Sequence, residues 1–174
     1  MIDGVTLKQL TTHADERGYF REVLRADDEI FSEGFGQWSH SSMYAGTIKA
    51  WHIHQKQVDW WYVPIGVIKA VLVDMRNSDL SIKRGNEVFT VDLDRPFDKV
   101  ARLRYDKGEL QEYLLGDNQP AQVLRIPPGV AHGLRVLQGP AHLFYVTSQV
   151  YNPDDEGRIP HDALGYDWFK QDIK

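Results

Sequence analysis

The chain has 174 residues, 42% hydrophobic and 26% charged, an ordinary globular balance for one domain of ~100–200 residues. It contains no cysteine, which excludes disulfides, thiolate metal clusters and cysteine nucleophiles. Twenty Lys and Arg against 25 Asp and Glu leave a net charge of −5, which argues against a nucleic-acid partner, and no apolar run approaches the ~20 residues of a membrane span.

In chain order, the opening Met-Ile-Asp-Gly-Val lacks the basic and apolar blocks of a signal peptide, so the expected location is the cytoplasm. Residues 27–33 are the best helix candidate, a single turn capped by Asp27 or Asp28. Residues 67–75 read as a mostly buried strand, and residues 87–93 alternate with period two after a hairpin turn at 83–86 (Lys-Arg-Gly-Asn). Residues 122–126 and 142–148 are two further strands. Many short strands and scarce helix predict an all-β sandwich or barrel. No repeat, low-complexity tract or linker divides the chain, so residues 1–174 are expected to form one domain.

The histidines carry the chemistry. His52 and His54 flank one residue, and on a strand residues i and i+2 share a face, so both imidazoles are expected in one cavity. Asp59 follows, then the aromatic run Trp60, Trp61, Tyr62. These three and Trp51 are candidates to line a sugar pocket, although adjacent Trp60 and Trp61 face opposite ways. Residues 126–132 (Ile-Pro-Pro-Gly-Val-Ala-His) bring in His132. The pattern resembles the two motifs of the cupin superfamily: Gly46, His52, His54, Asp59 and Gly66, with Asp where Glu is usual, then Pro127, Gly129 and His132, with Val136 where Asn often stands. The resemblance implies a double-stranded β-helix, a jelly-roll barrel with a few short helical turns and its chemistry on the inner face. His13, His40, His142 and His161 lack such spacing and are expected to carry no chemistry.

A second set of motifs resembles the dTDP-4-dehydrorhamnose 3,5-epimerase family of nucleotide-sugar epimerases. It comprises residues 15–22 (Asp-Glu-Arg-Gly-Tyr-Phe-Arg-Glu), 37–41, 49–52, 73–76, 115–118, 126–134, 144–153, 156–159 and 165–168, and it passes over residues 79–108, which are therefore expected to be an inserted hairpin and loop. The resemblance implies a cofactor-free isomerase acting on a dTDP-4-keto-6-deoxy-hexose. His52 matches the base that removes a proton next to the ketone, and Tyr145 the tyrosine that returns one on the opposite face. His132 matches a histidine lining the site. Arg17, Phe20 and Glu22 match a segment that reaches a nucleotide, often in the neighbouring subunit of a homodimer. Gln37 and Lys49 fall in blocks that touch the sugar or diphosphate, and Tyr151 matches an aromatic near the base. Inversion at C3, at C5 or at both fits equally.

This chain also departs from the family. Ser39 replaces an asparagine, Lys49 an arginine, Ala50 a glycine and His54 a glutamine. Asp59 stands where a lysine holds the enolate oxygen, and no motif supplies the aspartate that pairs with the base. Asp59 is therefore expected either to pair with a histidine in catalysis or to complete a metal set. In the metal alternative, His52, His54, Asp59 and His132 bind one divalent transition metal in a cupin isomerase or dioxygenase. A non-catalytic nucleotide-sugar binding module is the third reading.

Overall fold

The period-two stretches of the sequence become strands in the computed structural model, which describes residues 1–76 and 109–170 and, as backbone alone, 81–84 and 87–90. In chain order they are β1 (Thr6–Gln9), β2 (His13–Asp15), β3 (Gly18–Phe20), β4 (Gln37–Met43), β5 (Ile48–His54) and β6 (Asp59–Asp74). Then come β7 (Ser81–Arg84), β8 (Glu87–Thr90), β9 (Leu110–Gly116), β10 (Gln122–Ile126), β11 (Val130–Thr147) and β12 (Glu156–Arg158). The expected turn at 83–86 becomes the β7–β8 hairpin, with Arg84 opposite Glu87. Its tip, residues 77–80 and residues 91–108, the expected strand residues 91–93 among them, lie outside the described residues.

Two long antiparallel strands, β6 and β11, organise the barrel. The first part of β6 pairs with β10 and with the last part of β11, as in Trp61 opposite Leu124 and Tyr145. The second part of β6 pairs with β9 and with the first part of β11, as in Leu72 opposite Gln111 and His132. β4 extends the last part of β11, and β5 then β12 extend the first. One sheet thus folds into two facing walls that share β6 and β11, the jelly roll expected from the sequence. The fold-over lies where the β6–β11 register shifts, between Val136 and Phe144. Gly66 sits there at φ +74°, and a Cβ would stand 2.6 Å from the carbonyl oxygens of Gln138 and Pro140, so only glycine fits.

Apolar residues such as Ile68, Leu72, Leu124 and Val136 fill the space between the walls. Each outer face is capped by a chain end. Trp51, Ile53 and Val71 lie under Leu164 and Trp168, and Trp60 lies under Phe31. The one helical turn among the described residues, Glu29–Phe31, starts at Asp28 as expected. Its carboxylate does not cap the turn, because it turns back to the Arg25 amide (2.7 Å) and the Lys8 ammonium. No helix of the described residues is long and apolar enough to cross a membrane.

Candidate active site

Between the walls lies a cavity of about 280 Å³. One wall supplies Leu143, Tyr145 and Thr147 of β11 and Asp59 and Trp61 of β6; the other supplies His52 and His54 of β5, His132 of β11 and Glu156 and Arg158 of β12. Each set is spaced by two, the strand repeat, so the sequence alternation itself delivers these side chains to one space. Lys49 breaks the parity yet lines the same cavity. Lys49 lies opposite Leu134 and His52 opposite His132, so three steps on β5 match two on β11. This β-bulge returns Lys49 to the inner face, while Trp51, next to the inward-facing His52, lies on the outer one by plain alternation. Gly133 makes room for the bulge, since a Cβ there would be 2.5 Å from the Ala50 Cβ.

His52 Nδ1 is 3.1 Å from Glu156 Oε1, and Arg158 Nε donates to the same oxygen at 2.5 Å. Hydrogen bonding to His52, with help from Arg158, holds the Glu156 carboxyl down at about 2 against the opposing effect of burial. An ionised carboxylate only accepts, so His52 carries its hydrogen on Nδ1 and leaves the Nε2 lone pair open. Tyr145 lines the other wall, and its hydroxyl has no partner among the described residues.

A second cluster closes the inner end. Asp59 and His132 are 4% and 3% exposed. Asp59 Oδ1 accepts from Gln57 Nε2 (2.8 Å), and Oδ2 accepts from Trp61 Nε1 (3.2 Å). Gln57 Nε2 also lies 3.3 Å from His54 Nε2, so one amide group serves both neighbours. Asp155 accepts the backbone amides of Lys56 and Gln57 at 3.0 and 3.1 Å and thereby fixes this turn. His132 Nδ1 lies 3.0 Å from the Val130 carbonyl, which can only accept, so Nδ1 is its protonated nitrogen. Burial, reinforced by His54 and His52 and opposed by Asp59, lowers the His132 pKa to about 4.

The sequence profile of the dTDP-4-dehydrorhamnose 3,5-epimerase family matches residues 1–95 and 105–174. The chain belongs to this family. Among relatives, it is 42% identical over 173 residues to the spore coat polysaccharide biosynthesis protein SpsL of Bacillus subtilis, covering 97% of each chain. Among solved structures, the dTDP sugar isomerase of Desulfovibrio desulfuricans superposes with a TM-score of 0.76 at 26% identity, over 98% of this chain and 94% of that one. The epimerase RmlC of Legionella pneumophila, crystallised with dTDP-4-keto-L-rhamnose, shares the fold at a TM-score of 0.71 and 23% identity, over 96% of this chain and 79% of that one.

The family's expected site residues divide into two groups. His52, Tyr145, Asp59, Gln37, Lys49, His132 and Tyr151 line the one cavity, and so does His54. Arg17, Phe20 and Glu22 do not: Arg17 is tied to Asp15, Glu22 to Arg25, and Phe20 is 62% exposed. The carboxylate that meets His52 is Glu156, whereas Asp59 stands 3.8 Å from His132 Nε2. Of the aromatic candidates for a sugar pocket, only Trp61 lines the cavity; Trp51 and Trp60 pack outside the walls. The metal alternative is reduced to three residues. One atom each of His54, Asp59 and His132 lies within 4.8 Å of the others, while His52 Nδ1 is turned to Glu156. The Gln57 amide donates between His54 and Asp59 and satisfies acceptors that a cation would share. Sequence reasoning gave no role to Glu156, Arg158, Gln57 or Asp155. The Glu-Gly-Arg spacing at 156–158 was the available signal, since period two sends both side chains inward.

Proposed function

We propose that the protein is an epimerase of a dTDP-linked 4-keto-6-deoxy-hexose, inverting C3, C5 or both. The observation that carries this reading is His52, held at Nδ1 by Glu156 with Nε2 open to a cavity that Tyr145 lines from the other wall. His52 Nε2 takes the proton next to the ketone, the electron pair moves into an enolate, and Tyr145 returns a proton to the opposite face of the carbon. Protons alone move, so no redox cofactor is needed. Lys49, on the same face of β5 as His52 and hydrogen-bonded to the Ser41 hydroxyl at 2.6 Å, holds the enolate oxygen. A cavity of 280 Å³ suits a hexose ring, being near the lower end of the roughly 300–1,000 Å³ of small-molecule sites. The nucleotide lies across the mouth, with Arg158 near the diphosphate and Gln37 and Tyr151 beyond it.

Arg17, Phe20 and Glu22 contribute to the site of a second copy in a homodimer. Supporting this, among the described residues β2 and β3 pair only with each other and β4 is an edge strand, and Phe20 and Trp38 are 62% and 66% exposed.

The test is solvent deuterium exchange. Wild-type protein should incorporate deuterium at C3 or C5 of dTDP-4-keto-6-deoxyglucose, and His52→Asn should lower kcat by at least ~10²-fold with the fold intact. Exchange by His52→Asn at the wild-type rate defeats the assignment.

A further inference from the structure

The inner end of the cavity presents two hydrogen-bond acceptors and no matching donor. His132 Nδ1 gives its hydrogen to the Val130 carbonyl, so Nε2 of the neutral ring is a bare lone pair. It has no hydrogen-bond donor among the described residues. Across from it, 3.8 Å away, stands Asp59 Oδ2. That oxygen already accepts from Trp61, and the other Asp59 oxygen accepts from Gln57. Both residues are buried and line the cavity, and a carboxylate oxygen that takes one hydrogen from Trp61 keeps a second acceptor site, so each of the two atoms can take a hydrogen from a ligand there.

From this we infer that the His132–Asp59 pair reads the vicinal diol of the sugar, one hydroxyl donating to His132 Nε2 and the neighbouring one to Asp59 Oδ2. The inference rests on the epimerase reading of the cavity and adds its specificity determinant. A ketone oxygen cannot occupy this end, because it brings a third acceptor against two. A single hydroxyl brings one hydrogen and engages only one of the two atoms. Two hydroxyls on adjacent carbons bring two hydrogens and can splay outward to acceptors 3.8 Å apart. On a 4-keto-6-deoxy-hexose the adjacent hydroxyls are those on C2 and C3, so the ketone edge turns toward Lys49.

Calorimetry tests this without relying on turnover. The titrants are dTDP-4-keto-6-deoxyglucose and its 2-deoxy and 3-deoxy analogues. Each analogue should bind wild-type protein about tenfold more weakly or worse, the scale of a lost hydrogen bond that leaves a buried acceptor open. Asp59→Ala should level one analogue with the parent sugar while the other stays penalised, and His132→Ala should do the converse. The inference is overturned if both analogues bind wild type within threefold of the parent. It is equally overturned if each variant levels both analogues or neither, or if the parent sugar does not bind. Should Asp59→Ala fail to fold, Asp59→Ser serves in its place, and the wild-type comparison stands on its own. Failure of the epimerase reading looks different: the parent binds with the expected discrimination, but its α-protons never exchange.

Discussion

Glu156 determines which nitrogen of His52 stays open to the cavity. Replacing it with glutamine removes the charge that fixes the tautomer and lets the amide donate to Nδ1, which puts the hydrogen on Nε2, where a base cannot carry it. Glu156→Gln should therefore lower kcat by about 10²-fold or more with KM nearly unchanged, and Glu156→Asp should recover part of the loss. His132 acts on stability. In the unfolded chain it titrates near ~6.5, in the fold at about 4, so between these values the unfolded chain binds more protons. Stability contributed by neutral His132 is thus complete above pH 6.5 and declines as pH falls toward 4. Thermal melts at pH 7 and pH 5 should show a smaller drop in Tm for His132→Asn than for wild type. An equal drop in both proteins removes His132 from the account. The inward-facing residues were legible in the sequence because strand spacing places His52 with His54. Their partners were not. Glu156 lies 104 residues from His52, and only the pairing of β12 with β5 brings them together.

At the scale of elements, the β5 bulge sets what the cavity contains. Without the extra residue, Lys49 and His52 fall on opposite faces. Gly133→Ala drives a methyl into Ala50 and should destabilise the protein by ~1–3 kcal/mol, with a loss of activity larger than the loss of folded protein explains. Urea melts and kcat measured on the folded fraction check both parts. The bulge was not readable beforehand, because Ala50 and Trp51 carry no turn chemistry that marks an extra residue in the strand. The strands themselves were readable wherever β-branched residues and alternation coincide, as at 67–75 and 122–126. The sidedness of Trp60 and Trp61 followed from period two. Which of them faced inward depended on the N-terminal segment, which carries Phe31 onto Trp60 at a ring separation of 4.7 Å.

For the whole molecule, assembly decides whether one chain makes a complete site. Light scattering should report a dimer at micromolar concentration, and Arg17→Ala should weaken dTDP binding while leaving the melting curve unchanged. A well-behaved monomer with full nucleotide affinity counts against the shared site. The two walls of the cavity, by contrast, are not separate bodies. β11 carries His132 in one wall and Tyr145 in the other on one continuous strand, and β6 runs beside it along both. Enzymes that close on their substrates rely on segments that rotate about a hinge. Here the wall of His52 and the wall of Tyr145 are tied twice through the same backbone, so the two walls cannot rotate apart. Substrate must enter and leave past side chains at the rim, and millisecond exchange in methyl relaxation dispersion should be confined to that rim and silent in Leu72, Leu124 and Val136 of the barrel core.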